Sequence, residues 1–257
     1  MPYVPSNESQ QVESLSDLSS KQSRIISKVL SPAVRLWLRS QVEQVEDLQV
    51  DIQAGDRLLL TGHIPKVSLS AHHAVYQGLH LRSIQLVAEK IRINLGQVLK
   101  GKPLRLLEPI PVAGELLLEE ADLNASLQGT LLPNALTEFL VTLLKASGFH
   151  NPTEVLQNRQ ITWQEIAIDS RQIKLSGTLT DHNRQDLNSS LAIRTGVELS
   201  SCHELLFVSP QIEGLPGLKY PPLDSLQLDL GSEVNIRELT LSSGLLICRG
   251  SILVRTE

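Results

Sequence analysis

Hydrophobic positions along the chain follow two periods, and the change from one to the other marks the elements. Over residues 24–43 the spacing is helical: at 100° per residue Ile26, Leu30, Ala33, Val34, Trp37 and Leu38 fall on one face, and Lys21, Arg24, Lys28, Arg35 and Arg39 on the other. Ser31-Pro32 in the middle reads as an N-cap followed by proline at the first helical position, which predicts two short helices or one kinked helix. From Asp47 onward the period is two. Leu48, Val50 and Ile52 alternate with polar residues, Ala54-Gly55-Asp56 turns the chain, and Leu58, Leu60, Gly62 and Ile64 alternate again, predicting a hairpin. Strands are predicted over 67–75 and 79–95. The apolar parity of the second switches between Leu86 and Ile91, which calls for a bulge or sharp bend. A Pro/Gly-rich connection leads to another strand over 112–119.

A second helical region covers residues 120–145, with Leu123, Leu127 and Leu131 four apart. Pro133 is expected to break it, and Leu136, Phe139, Leu140, Leu143 and Leu144 resume the pattern beyond. Strands fill most of the remainder, at 161–168, 171–179, 189–199, 204–210, 226–230 and 236–254, the last divided by a turn at Ser242-Ser243-Gly244. Gly62, Gly177 and Gly250 each stand two residues after one apolar position and two before another. Inward-facing glycines permit a bulge, strong curvature or the close approach of another body. The chain thus reads as a polar lead-in over 1–22 and one domain over 23–257. That domain has two similar halves, about 23–119 and 120–257. Long antiparallel strands beside apolar helices predict an α+β fold in which a curved sheet wraps the helices.

Composition changes this picture in one respect. There are 48 Leu and 17 Ile in 257 residues, against three Phe, three Tyr, two Trp and one Met, so the interior is almost purely aliphatic. Single-stranded nucleic acids and flat or cationic ligands are gripped by aromatic faces, which this chain hardly has. A net charge of -5 supplies no field for gathering phosphate backbones, and no nucleic-acid partner is expected. Cys202 and Cys248 lack metal-ligand spacing and read as free, buried thiols of a reducing compartment. The polar, Ser/Gln/Glu-rich start has neither the basic nor the apolar region of a signal peptide and reads as disordered, so a cytoplasmic protein is expected.

Candidate chemistry is sparse. Gly96 to Lys102 has Walker-A spacing, but Pro103 stands where a magnesium-binding hydroxyl is required. His72 and His73 are adjacent on a strand and point to opposite faces, so they cannot chelate together and no metal site is assigned. Asp181, His182 and Asp186 lie in a hydrophilic turn without a nucleophile elbow, and no nucleophile with a base can be named. No cofactor and no catalytic residue is expected.

Four segments carry a resemblance. They are the initial helix 25–38 (IISKVLSPAVRLWL), the pair 48–52 (LQVDI) and 58–62, the segment 75–79 (VYQGL), and above all 119–124 (EEADLN). Together they resemble the LmeA-like phospholipid-binding family, in its cyanobacterial branch, over roughly residues 24–253. The resemblance implies a tubular lipid-binding architecture in which a curved sheet wraps a long helix and an acyl chain lies between them.

Both lines lead to non-enzymatic binding, with transfer as its extension, of phospholipid or another acyl lipid. The groove is expected between Leu123, Leu127, Leu131, Leu136, Leu140 and Leu144 and the strand positions Leu60, Gly62, Leu175 and Gly177. Arg24, Lys28, Arg35 and Arg39 are expected to face an anionic membrane surface, giving peripheral association. The alternative is a protein-interaction module with a filled core and open sheet edges. Oligomeric state is left open.

Overall fold

The structure is a computed structural model that describes residues 30–149, 151–152, 156, 159–181, 188–215 and 223–255. The expected lead-in over 1–22, together with Arg24, Lys28, His182 and Asp186, lies outside these residues.

Helix α1 (Ser31–Gln41) carries Pro32 in its first turn, where the missing N–H has no intrahelical acceptor to lose. The chain then forms β1 (Gln44–Gln53), the one-turn helix α2 (Asp56–Leu60), β2 (His63–Tyr76), β3 (Leu79–Arg92), the short helix α3 (Leu95–Val98) and β4 (Ile110–Glu119). Helices α4 (Glu120–Ser126) and α5 (Leu131–Ala146) follow. The remainder is β5 (Arg159–Ile168), β6 (Ile173–Asp181), β7 (Asn188–Ser201), β8 (Glu204–Glu213), β9 (Ser225–Asp229), β10 (Val234–Ser242) and β11 (Leu245–Val254). The fold is α+β with every strand pair antiparallel. One sheet has the order β1-β2-β3-β4-β11-β10 and the other β5-β6-β7-β8-β9, so the last two strands of the chain complete the sheet begun by the first four.

Two sequence expectations are corrected here. Residues 58–60 are not the return arm of a hairpin. They belong to α2, which buries Leu59 completely and leaves Leu58 and Leu60 half to two-thirds exposed, so the apparent alternation marks outward positions. The strand that pairs with β1 is β2, with Val50 opposite Leu69 and Ile52 opposite Val67. Nor does Pro133 break the second helical region. The break falls at residues 127–130, and Pro133 sits in the first turn of α5, where proline needs no hydrogen-bond acceptor.

The parity switch in β3 has a definite cause. Lys90 takes a left-handed φ of 55° opposite Pro65, while the β2–β3 register runs unbroken from His63↔Arg92 to Tyr76↔Leu79. Both strands therefore turn their faces over together, and no residue is inserted. Of the three inward glycines, two behave as expected. Gly177 lies opposite Trp163 and Gly250 opposite Ile236, each beside a register shift in the partner strand, and a Cβ on Gly177 would approach Thr162 O to 2.8 Å. Gly62 instead occupies the turn after α2 with φ 77°, outside any strand.

Two hydrophobic clusters result. Leu123 of α4, Leu127 at its end, and Leu140, Leu143 and Leu144 of α5 pack on Trp163, Ile166, Leu175, Leu179, Leu191 and Ile193 of the second sheet. Leu30, Val34, Leu59 and Leu95 pack on Ile52, Ile64, Ile91, Ile93 and Ile110 at one end of the first sheet.

Candidate functional site

The two clusters differ in how completely their side chains meet. In the α5 cluster Leu140, Leu143 and Leu144 are fully buried, and Trp163 is held there by its Nε1–H donating to Thr137 Oγ1 at 3.1 Å. The cluster beneath α1 encloses open space. A cavity of about 210 Å³ lies between the helix and the first sheet. Val34, Trp37 and Leu38 form its roof, Ile64, Val67 and Leu69 of β2 with Leu86, Ala88 and Ile91 of β3 its floor, and Ile110, Val112, Ile252 and Val254 its far wall. Ile93, Leu104 and Leu106 close one end. Among the described residues every one that lines it is apolar, and Trp37 is the single aromatic. The local folding explains the lining: α1 presents its apolar face because Val34, Trp37 and Leu38 are three and four residues apart. β2 and β3 bring Val67, Ala88, Leu69 and Leu86 to one face as cross-strand pairs, Val67↔Ala88 and Leu69↔Leu86.

A second, more open pocket of about 450 Å³ shares Leu69 and Leu86 with the first. Arg35, Gln49, Asp51, Ser68, Ser70 and Gln85 also border it, and among the described residues Arg35 is the only cation lining either pocket. An apolar cavity bordered by a wetter pocket with a guanidinium can take an amphipathic molecule. Among the described residues no group of three His, Cys, Asp or Glu side chains could hold a metal ion.

The sequence-predicted site residues divide between the clusters. Leu123, Leu127, Leu136, Leu140, Leu144, Leu175 and Gly177 come together in the cluster around Trp163. Leu131 is exposed on the first turn of α5, and Leu60 and Gly62 lie in the other half of the molecule, at α2. Arg35 and Arg39 are exposed on α1. Sequence reasoning placed Trp37 correctly on an apolar face but missed the strand residues opposite it, because Val67, Leu69, Leu86, Ala88 and Val112 carry the same signal as any strand core. Cys248 is half-buried and its thiol pKa is raised by that burial, whereas Cys202 is exposed rather than buried; both are free.

The 119–124 motif proves to be a junction between the sheets. The carboxylate of Glu119 and that of Asp122 form a reciprocal capping box at the start of α4. Glu119 also pairs with Arg82 of β3, whose Nε lies 3.2 Å from Asp122 Oδ2. Glu120 Oε2 accepts the Ile168 N–H of β5 at 2.8 Å, and buried Ser126 Oγ accepts the His80 N–H of β3 at 2.8 Å. The turn Gln77-Gly78, with φ of 49° and 75°, is built against Gly129 so closely that a Cβ on Gly78 would come within 2.8 Å of the Gly129 Cα. The 75–79 and 119–124 segments therefore hold the two sheets in place from either side of α4.

A family model described as LmeA-like phospholipid-binding matches residues 21–251 of the chain. No curated protein and no solved structure matches it.

Proposed function

Because the chain belongs to the LmeA-like phospholipid-binding family, we propose that it binds one acyl lipid without catalysis, with the tail in the cavity beneath α1. The observation that carries the reading is the apolar lining of that cavity, aliphatic except for Trp37, which selects a flexible hydrocarbon by buried area alone. At about 0.8 kcal/mol per methylene, eight buried methylenes supply about 6 kcal/mol before ordering costs. Its volume of about 210 Å³ is smaller than the roughly 300 Å³ at which ligand pockets begin. A long tail therefore continues into the adjoining pocket, where the head group meets Arg35.

In this reading the first sheet curls around α1 as in a tubular lipid-binding domain, and the second sheet with α5 is its filled counterpart. The protein works as a peripheral, cytoplasmic lipid carrier on an anionic membrane, in a compartment that keeps both thiols reduced. Native mass spectrometry of gently purified protein is the test. A bound species of phospholipid mass, displaced by added phosphatidylglycerol, is expected. Bare protein that takes up no added lipid leaves the filled-core interaction module as the better account.

A further inference from the structure

One end of the first sheet carries exposed leucines that no packing need explains. Leu58 and Leu60 of α2 are 50% and 63% exposed, Leu99 just after α3 is 50% exposed, and Leu107 is 54% exposed. They share a foundation. Leu59 is fully buried and Leu95 nearly so, α2 and α3 touch, and the Ile93 N–H donates to Gly62 O at 2.9 Å, so the leucines project from one rigid end. Asn94 shapes the following loop: its Oδ1 accepts the Arg105 N–H at 2.7 Å and its Nδ2 donates to Pro103 O at 3.0 Å.

That loop presents Lys100, Lys102 and Arg105, all exposed, with no Asp or Glu between Asn94 and Leu107. Among the described residues no ion pair engages these three cations. Exposed leucines on the same end as a loop of cations that no ion pair engages match the two layers of an anionic bilayer surface, acyl carbon below and phosphate above. The same end also closes the apolar cavity, through Ile64, Ile93, Leu104 and Leu106.

We propose that this end of the sheet, formed by α2, α3 and the 99–107 loop, is the surface that docks on an anionic bilayer. Leu58, Leu60 and Leu99 enter the interface, and Lys100, Lys102 and Arg105 meet the phosphates. The docking places the cavity's end wall against the membrane, and a lipid enters or leaves between Leu104 and Ile64. That path rests on the lipid-binding reading above; the docking surface itself does not.

Co-sedimentation of the full chain with vesicles of phosphatidylcholine and phosphatidylglycerol at 7:3 tests it. The triple change Leu58→Ser, Leu60→Ser, Leu99→Ser is expected to weaken binding at least tenfold. Lys100→Gln and Lys102→Gln are each expected to weaken it about fivefold, at low salt only. Arg39→Gln, on the helix and outside both pockets, should change it less than twofold. All these side chains are exposed, so thermal midpoints should hold, and Leu107→Ser is a further single change that keeps the test open if the triple variant unfolds. Wild-type protein that ignores the vesicles, or a triple variant that binds as wild type does, overturns the proposal, as does binding lost only in the arginine variant. Vesicle binding that depends on the leucines, in protein that never carries lipid by native mass spectrometry, overturns the lipid-binding reading and leaves the docking surface standing.

Discussion

Asn124 and Ile166 are joined by two hydrogen bonds in opposite directions. The Asn124 Nδ2 donates to Ile166 O at 2.8 Å, and its Oδ1 accepts the Ile166 N–H at 2.8 Å. Ile166 lies on β5, the edge strand of the second sheet, so a side chain of α4 does there what a neighbouring strand would do. An amide is the one short side chain that can both donate and accept in this geometry.

Replacing Asn124 with Ala leaves the Ile166 N–H and C=O without partners at a half-buried place. Each unsatisfied group costs about 1–3 kcal/mol, so a loss of about 2–4 kcal/mol is expected, read as a lower urea midpoint with an unchanged slope. Asn124→Asp keeps an acceptor but removes the donor and should lose about half as much. Equal stability of all three proteins would show that the junction is held elsewhere.

Gly129→Ala tests the contact between the 75–79 turn and the start of α5. The new Cβ would lie 2.9 Å from both the Cα and the carbonyl oxygen of Gly78, and backbone atoms cannot swing away. Overpacking of this kind costs about 1–3 kcal/mol. A drop of several degrees in thermal midpoint is expected, with lipid uptake retained by the molecules that remain folded.

Ala88→Phe tests the cavity from within. Ala88 lines the floor, and a phenyl ring there occupies space the tail would use. Binding of a long-chain fatty acid should weaken at least tenfold, while stability stays level or rises because a void is filled. Trp37 in the roof reports the binding directly, and changing Trp163 to Phe removes the other indole signal. Unaltered affinity in Ala88→Phe protein would move the ligand out of this cavity.

The two thiols should separate by reactivity. Burial raises the pKa of Cys248, so at any pH below that raised value a smaller fraction is thiolate than for an ordinary cysteine. Cys202 is exposed and free. Iodoacetamide at pH 8 is expected to label Cys202 first, and the rate at Cys248, followed in Cys202→Ser protein, should keep climbing as the pH is raised. Indistinguishable rates at the two sites would contradict the burial of Cys248.

Much of the secondary structure could be read along the chain, because a period of two or of 3.6 is a local property. The strands β2 to β11 and the helices α1 and α5 fall close to where alternation placed them. What failed did so for reasons outside the pattern. Leu58, Leu59 and Leu60 are three leucines in a row, and only packing against the cluster that holds Leu30, Ile64 and Leu95 decides which one faces inward. Pro133 is equally at home in a first turn and at a break, and the contact of Gly129 with Gly78, fifty residues earlier, sets the boundary.

The sequence by itself determined that the interior would be aliphatic, that the strands would pair antiparallel beside apolar helices, and, through its 119–124 and 75–79 segments, which family the chain belongs to. Only the tertiary structure decided where open space lies. A hydrophobic pattern states which face of an element turns inward; it does not state whether the side chains of two facing elements meet. Leu140 on α5 is fully buried against the second sheet, whereas Trp37 on α1 faces Val67, Ala88 and Val254 across a cavity. Whether they meet depends on residues far apart in the chain: the cavity is lined from Val34 to Val254, on α1, β2, β3, β4 and β11.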